Sequence, residues 1–497
     1  MVAAAGYHHT AAVGRDGTLF VWGHGNGGLL GPGGSHQRLT PTRVAGLPAP
    51  VRQVSAGYSH AGIVTDAGDL LMFGYGKHGR LGLGDEVRQT TPKLVKRALF
   101  ADAAMLMVAC GANHTAALTE CGGVYTFGHG EHGMLGHGDD EAQLAPRRVP
   151  AAWFNDERVV MVAAGNGHTV ALSEAGHVFT WGDGKSGQLG HNDREHQWAP
   201  RQVEAVWFRG DKVVFVAAGD DCTVAVTAGG RLYTWGMNYF GELGHGDHGM
   251  LCDRLVPTLV GAGTFGGSAM VMAACGSNQT LVVTRDGALW ACGRLGRDEE
   301  TYRDAFVRVG AEEFGGARVV AAEVGVSHSV AVTEDGALWT WGAGTNWQLG
   351  HGDTEDRWVP MRVAAAGFGD VSVGCGWGLP AEHSLAFAMG THGRLGAASP
   401  VRSLAGEVEL LRMIAPACHV GDCRLVHSPP GWVSWSAGKQ EGVVRLLGGG
   451  LMLESVMGLA DFPLDSDGEG ADESEEDSAA DSEGDTDDTE LDLRFLD

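Results

Sequence analysis

Five histidines, His9, His60, His114, His168 and His328, stand in one recurring string: a small residue, Gly, two variable residues, His, then Thr, Ser or Ala. Histidine titrates near neutral pH and ligates metals, so a repeated histidine first suggests a ligand set or a general base. Either chemistry needs partners at fixed spacing, and no carboxylate or Cys accompanies these histidines at ligand spacing. Cys222 and Gln279 replace the histidine in two copies of the string. The pattern therefore predicts a structural hydrogen bond on the inner strand of a repeated unit, with no metal and no catalytic role.

Other candidates fail on context. The pattern G-x-G-x-x-G occurs at Gly74, Gly76, Gly79, at Gly128, Gly130, Gly133 and at Gly182, Gly184, Gly187. A dinucleotide fingerprint needs a helix after it and an acid about 20 residues on; here Leu-Gly and another strand pattern follow. Gly184-Lys185-Ser186 has Phe179 where a phosphate loop needs its first Gly. Cys418, His419, Cys423 and His427 have no standard zinc-finger spacing. No nucleophile–base pair or carboxylate dyad stands out, so the expectation is no enzyme and no cofactor.

The elements that carry the string follow from its period. Its glycines are Gly6, Gly57, Gly111, Gly165, Gly219, Gly276 and Gly325, at steps of 51, 54, 54, 54, 57 and 49. A second string follows each, an aromatic residue, Gly and a glycine-rich turn ending in Leu-Gly, as from Trp22, Phe73, Phe127, Trp181, Trp235 and Trp341. The copy from Cys292 is eroded, and units close with Pro, two residues and Val, as at Pro41–Val44. Within a unit the apolar period is two: Val170 and Leu172, then Val178 and Thr180, flank the turn Glu174-Ala175-Gly176, which reads as a hairpin. Four strands with turns fill about 50 positions. Seven such sheets leave exposed edges unless the array closes on itself. The fold expected is all-β, a seven-bladed β-propeller of four-stranded blades over residues 1–390. A partial eighth copy at Val371–Gly390 is read as supplying strands that close the ring.

Composition sets the remaining bounds. The 80 glycines keep no three-residue period, which excludes collagen. No apolar run reaches the roughly 18 residues of a spanning helix, and MVAAAGYHHT lacks the basic and apolar regions of a secretory signal. Nine cysteines, an odd number, read as reduced thiols, hence a cytoplasmic or nuclear protein. The net charge is −26, of which −16 falls in 461–497, where 17 acidic residues face Arg494 alone. Neither part is basic, so direct nucleic-acid binding has no electrostatic source. Residues 461–497 read as a disordered acidic tail, with Ser474, Ser478 and Ser482 as phosphorylation candidates. Residues 391–460 carry no repeat signature and read as an irregular extension; Leu404–Ile414 suits a short amphipathic helix.

These motifs, seven times in register, resemble the regulator of chromosome condensation repeat family. The resemblance covers about three quarters of the chain and implies the propeller fold. It also implies an alternative function, guanine-nucleotide exchange on a small Ras-like, Ran-type GTPase. Members of that kind use polar and acidic residues of the G-x-x-H loops, which here would be Asn113, Asn166, Asp220 and Asp221. Uniform steps through units two to five leave no room for an inserted wedge, and the basic chromatin-binding tail is missing. A light-sensing branch carries repeated G-W-R-H-T loops; here Trp takes that place only at Gly376-Trp377, and Trp22, Trp181 and Trp341 read as core.

On a propeller, chemistry resides in the loops. The variable loop pairs supply Tyr58, Asn113, Asn166, Asp220, Asp221, Asn278 and Trp377 as partner-binding candidates, while Gly57, His60, Gly111, His114, Gly165, His168, Gly325 and His328 are structural. Aromatic, amide and acidic groups suit a protein surface. The function expected is a monomeric, non-enzymatic interaction scaffold for protein partners, away from membranes. Trp153-Phe154 and Trp207-Phe208 are expected to pack between blades.

Overall fold

A computed structural model describes residues 3–25, 28–30, 37–249, 251–261, 263–295, 302–364 and 368, and the backbone of four strands between 423 and 455. The chain divides into two compact units, Met1–Arg394 and Leu395–Asp497.

In the first unit, seven four-stranded antiparallel sheets follow one another, each a contiguous stretch of chain with strands paired in sequence order. The innermost strands are Ala3–Ala5, Val51–Ala56, Met105–Cys110, Val159–Ala164, Val213–Ala218, Met270–Cys275 and Val319–Val324. Each packs against the innermost strands of its neighbours, and the first also meets the seventh, so the ring is closed. The second strands, His9–Val13, His60–Thr65, His114–Thr119, His168–Ser173, Cys222–Thr227, Gln279–Thr284 and His328–Thr333, are buried on both faces. The outermost strands, such as Gln143–Arg148, mix exposed and half-buried residues and carry the Pro of the unit's closing motif. Proline is tolerated there because an edge strand has a free side for the missing N–H.

The expected hairpin lies between His168–Ser173 and Val178–Gly182, with Gly176 at φ 92°, a left-handed position that favours glycine. The aromatic residues of the second string fill the spaces between blades: Trp22, Trp181 and Trp235 are wholly buried. Short 3-10 turns, Ala151–Phe154, Ala205–Phe208 and Ala311–Phe314, link one blade to the next. Their phenylalanines meet the indoles edge to face, Phe154–Trp181 at 5.9 Å and Phe208–Trp235 at 6.2 Å. Burying each such ring contributes about 1.5–3 kcal/mol.

Two expectations change. Blade one takes all four strands from residues 3–43, so the ring needs no strand from 371–390, which lies outside the described residues. The repeated histidines head the second strands, not the innermost ones. Of the two Trp-Phe pairs, Phe154 and Phe208 are wholly buried, while Trp153 and Trp207 pack against the same cores but stay half-buried.

In the second unit, Cys423–Val426, Trp432–Ala437, Gln440–Leu447 and Gly450–Ser455 form an antiparallel four-stranded sheet of their own within the stretch read as irregular. The amphipathic helix at 404–414, the Cys/His group at 418–427 and the acidic tail lie outside the described residues, apart from the Cys423–Val426 backbone. No helix among the described residues is long and apolar enough to cross a membrane.

Candidate functional site

The register places two loops of each blade on one face. Gly182 pairs with His168 at the blade edge, and Asp183 N–H then donates to Gly167 O at 2.8 Å. The same bond recurs as Tyr75 N–H to Ser59 O and Met237 N–H to Asp221 O. The loop before each second strand and the glycine-rich turn after each third strand are thereby locked together; their shared side is called the loop face below.

Beneath this face the histidines join blades. His60 Nε2 lies 2.8 Å from Thr115 Oγ1, His114 Nε2 2.9 Å from Thr169 Oγ1, and His168 Nε2 3.0 Å from Thr223 Oγ1. Each Thr hydroxyl donates to a carbonyl of the preceding blade, as Thr115 does to Arg80 O at 2.8 Å. The hydroxyl must therefore accept from the imidazole, which fixes the Nε2–H tautomer. Burial pushes His114 down to about 3 and His168 down to about 4, so both rings are neutral. The preceding glycine serves this contact. A Cβ at Gly57 would meet Gly111 O at 2.3 Å and His60 Cε1 at 2.9 Å. Gly165, Gly325 and Gly111 hold equivalent positions against their own histidines.

Three seams depart from the rule; at one, between blades five and six, Cys222 replaces the histidine while Thr280 still donates to Glu242 O. Ala61 stands where the other blades have a hydroxyl, and both ring nitrogens of buried His9 lack a partner. Between blades six and seven, Ser329 Oγ donates to Gln279 Oε1 at 2.8 Å instead.

Above these bonds the loop residues converge on the mouth of a central tunnel of about 180 Å³, walled by Ala, Val and Met of the innermost strands. Tyr58 of blade two donates its hydroxyl to Asp220 Oδ2 of blade five at 2.6 Å. Those blades stand on opposite sides of the ring, so the phenol bolts the mouth. Ser277 Oγ donates to the same carboxylate oxygen, and Tyr7 packs on Tyr58 with ring centres 5.0 Å apart. Burial and the Asp220 charge push the Tyr58 phenol far up.

An acidic basin adjoins the bolt. Asp221 is pushed up to about 6, mainly by burial and then by Asp220, Asp183 and Asp253. Burial raises Asp220 against the pull of its two hydroxyl donors. Glu242, wholly buried, reaches about 7 through burial; its Oε2 accepts Phe240 N–H at 2.7 Å while Oε1 has no partner. Arg194 answers Asp253 at 2.9 Å. In the tunnel, burial pushes Glu323 up to about 8. Carboxylates pressed together in a half-desolvated cleft gain most from a cation, which restores their ionised form.

Of the sequence candidates, Tyr58, Asp220 and Asp221 come together. Asn166 joins them through its backbone, N–H to Asp220 O at 3.3 Å. Asn113 and Asn278 sit half-buried in neighbouring loops, where their carbonyls accept His129 N–H and Arg294 N–H. Trp377 lies outside the described residues. Sequence reading missed Ser277 and Glu242, and it missed a second histidine set. His137, His191, His245 and His351 each meet a third-strand Thr through Nε2 at 2.9–3.0 Å. Leu-Gly-His, closing four of the glycine-rich turns, was the available signal.

Comparison with known proteins adds the following. Residues 102–386 match the RCC1-like domain, and residues 16–64 and 67–118 match the regulator of chromosome condensation (RCC1) repeat. The chain is 36% identical over 291 residues to the ultraviolet-B receptor UVR8 of Arabidopsis thaliana, covering 58% of this chain and 64% of the receptor. It is 35% identical over 283 residues to the human E3 ubiquitin-protein ligase HERC2, covering 56% of this chain but 6% of the ligase. Among solved structures, human WBSCR16 superposes with a TM-score of 0.62 at 26% identity, over 70% of this chain and 94% of that one. Prp20p of Saccharomyces cerevisiae, whose structure is titled with its binding properties to Gsp1p and histones, gives 0.61 at 25%, over 69% and 85%.

Proposed function

The chain belongs to the RCC1-like domain family, and from that premise we propose that it is a non-enzymatic interaction scaffold whose loop face takes a basic segment of a partner protein. The observation that carries this reading is the pair of carboxyls, Asp220 and Asp221, beside the Tyr58 bolt. Both are held above their ordinary range by burial. A Lys or Arg side chain entering there finds charge already desolvated and acceptors already placed. Aromatic Tyr7 and Tyr58 supply apolar and cation–π contact beside it.

The test is fluorescence anisotropy of labelled peptides against the full chain, one rich in Lys and Arg and one rich in Glu. The basic peptide should bind more tightly, more so at low salt, and D221N should weaken it about tenfold. Equal binding of both peptides, or binding indifferent to D221N, would overturn the reading.

The likeness to Prp20p supports a second reading, exchange of nucleotide on a Ran-type GTPase, with Asn113, Asn166, Asp220 and Asp221 at the contact. Release of mant-GDP faster than the intrinsic rate would establish it in place of a passive scaffold.

A further inference from the structure

On the loop face of blades three and four, three side chains converge that the interaction reading does not use. His132 lies in the turn Glu131–Gly133 after the third strand of blade three. Asp183 directly follows the third strand of blade four, and His196 directly precedes its fourth, Gln197–Gln202. The two imidazoles stack with centres 4.3 Å apart and 17° between planes. Nδ1 of His132 is 3.7 Å from Asp183 Oδ2, and Nδ1 of His196 is 3.2 Å from Asp183 Oδ1. One donor atom of each residue lies within 4.8 Å of the others.

Two ring nitrogens face one carboxylate. A neutral ring could donate Nδ1–H to it, but at His196 the Gly184 N–H also points at Nδ1 from 3.3 Å, which leaves that nitrogen a lone pair 3.2 Å from Asp183 Oδ1. A divalent ion held between the ring nitrogens and the carboxylate removes that conflict. We propose that His132, Asp183 and His196 form a metal site that takes a zinc-class divalent ion, in contrast to the metal-free reading of the sequence.

The donor set selects the ion. Two imidazoles with one carboxylate suit zinc and its neighbours, whereas Mg²⁺ and Ca²⁺ prefer all-oxygen shells. Bonds of roughly 2.0–2.1 Å at tetrahedral angles place donor atoms about 3.4 Å apart. The observed 3.2 and 3.7 Å bracket that edge. Rotation of the rings about χ2, a broad torsion, completes the closure. Gly184 N–H, 3.3 Å from His196 Nδ1, gives up that long bond to the ion. The fourth position opens onto the face, for water or a partner's donor atom.

The surroundings complete the site. With the ion on Nδ1, His132 carries its proton on Nε2, and Glu131 Oε1 stands 3.8 Å from that nitrogen as its acceptor. The Lys185 ammonium lies 3.4 Å from the same Nε2, and its exposed side chain must swing away. Glu131 therefore supports binding and Lys185 opposes it.

The test uses the full chain, stripped by a chelator and titrated with Zn²⁺ against a chromophoric competitor, with Co²⁺ as spectroscopic probe. Cysteine sites elsewhere are told apart by thiolate-to-cobalt charge transfer, which this site lacks. Wild type should bind one ion more per chain than H132A/H196A, and D183N, which keeps both rings, should match the double variant. E131Q should weaken binding about tenfold, and K185M should tighten it. Equal zinc stoichiometry and affinity in wild type, H132A/H196A and D183N would overturn the proposal, as would a cobalt spectrum showing thiolate bands alone.

Discussion

His328 Nε2 and Thr10 Oγ1 lie 2.8 Å apart although 318 residues separate them. The bond joins the seventh blade to the first in the same chemistry that joins interior neighbours. Thr10 passes the interaction on to Gln348 O at 2.7 Å, and Trp22 Nε1–H donates to that carbonyl at 2.9 Å.

The His–Thr pairs should be individually costly to break. T115V leaves His60 Nε2–H and the Arg80 carbonyl without partners inside the protein, so it should destabilise by about 2 kcal/mol. The converse change, A61T, supplies the hydroxyl that His9 lacks and should stabilise by about 1 kcal/mol. Urea midpoints of the two variants check both signs.

The glycine of the string should tolerate no side chain. In G57A the new Cβ would sit 2.3 Å from the Gly111 carbonyl, a backbone atom that cannot move without parting two blades. We expect loss of soluble folded protein. G46A, whose Cβ meets nothing, keeps only the strain of φ 76° and should cost about 1 kcal/mol. Soluble yield and circular dichroism separate the two.

Acid should weaken the ring from an unusually high pH. His9, His114, His168, His191, His245 and His328 are held at about 3 to 4 by burial. Unfolded, they take up protons near 6.5, so the unfolded state gains protons first and stability falls as pH drops from 6.5 towards 4. Glu242 and Glu323, raised to about 7 and 8, act oppositely. The folded state keeps their protons after the unfolded state has lost them, so stability also declines from pH 6.5 to 8. A denaturation series across pH 4–8 should show a maximum near 6.5.

Thiol reactivity should sort by burial. Cys121 is exposed, and the Thr119 hydroxyl holds its thiol below the ordinary value. Cys110 is pushed up to about 12 by burial, and Cys222 and Cys292 are also raised and enclosed. Brief alkylation followed by peptide mapping should label Cys121 well before those three.

The ring was legible in the sequence because each blade solves one packing problem with one set of residues. The Gly-x-x-His string marks where two blades touch, and its repetition reports the touching surface seven times. Closure is misread from sequence because the partial copy at Val371–Gly390 reads as completing a blade, yet Ala3–Ala5 suffices as the innermost strand of blade one. The site was less legible, since its members come from different units. Tyr58 and Asp220 are 162 residues apart and meet only because a seven-membered ring sets blades two and five across the axis. Ser277 looked like one more variable loop residue, and Glu242 carries a charge where Gln188 and Gln348 carry amides. His132 occupies a variable place within the second string and His196 falls outside both strings, and the two become neighbours only through the lateral contact of adjacent blades.

Because every sector of the ring is a closed stretch of chain, no strand is exchanged between its two ends. Among the described residues, a pull on those ends is resisted at the first-to-last boundary by side chains such as His328 and Thr10, by Gly352 N–H to Leu39 O and by the close approach of Gly325 to Gly6 O. That boundary is the molecule's latch: tension should open it first and leave the seven sectors intact in an open arc.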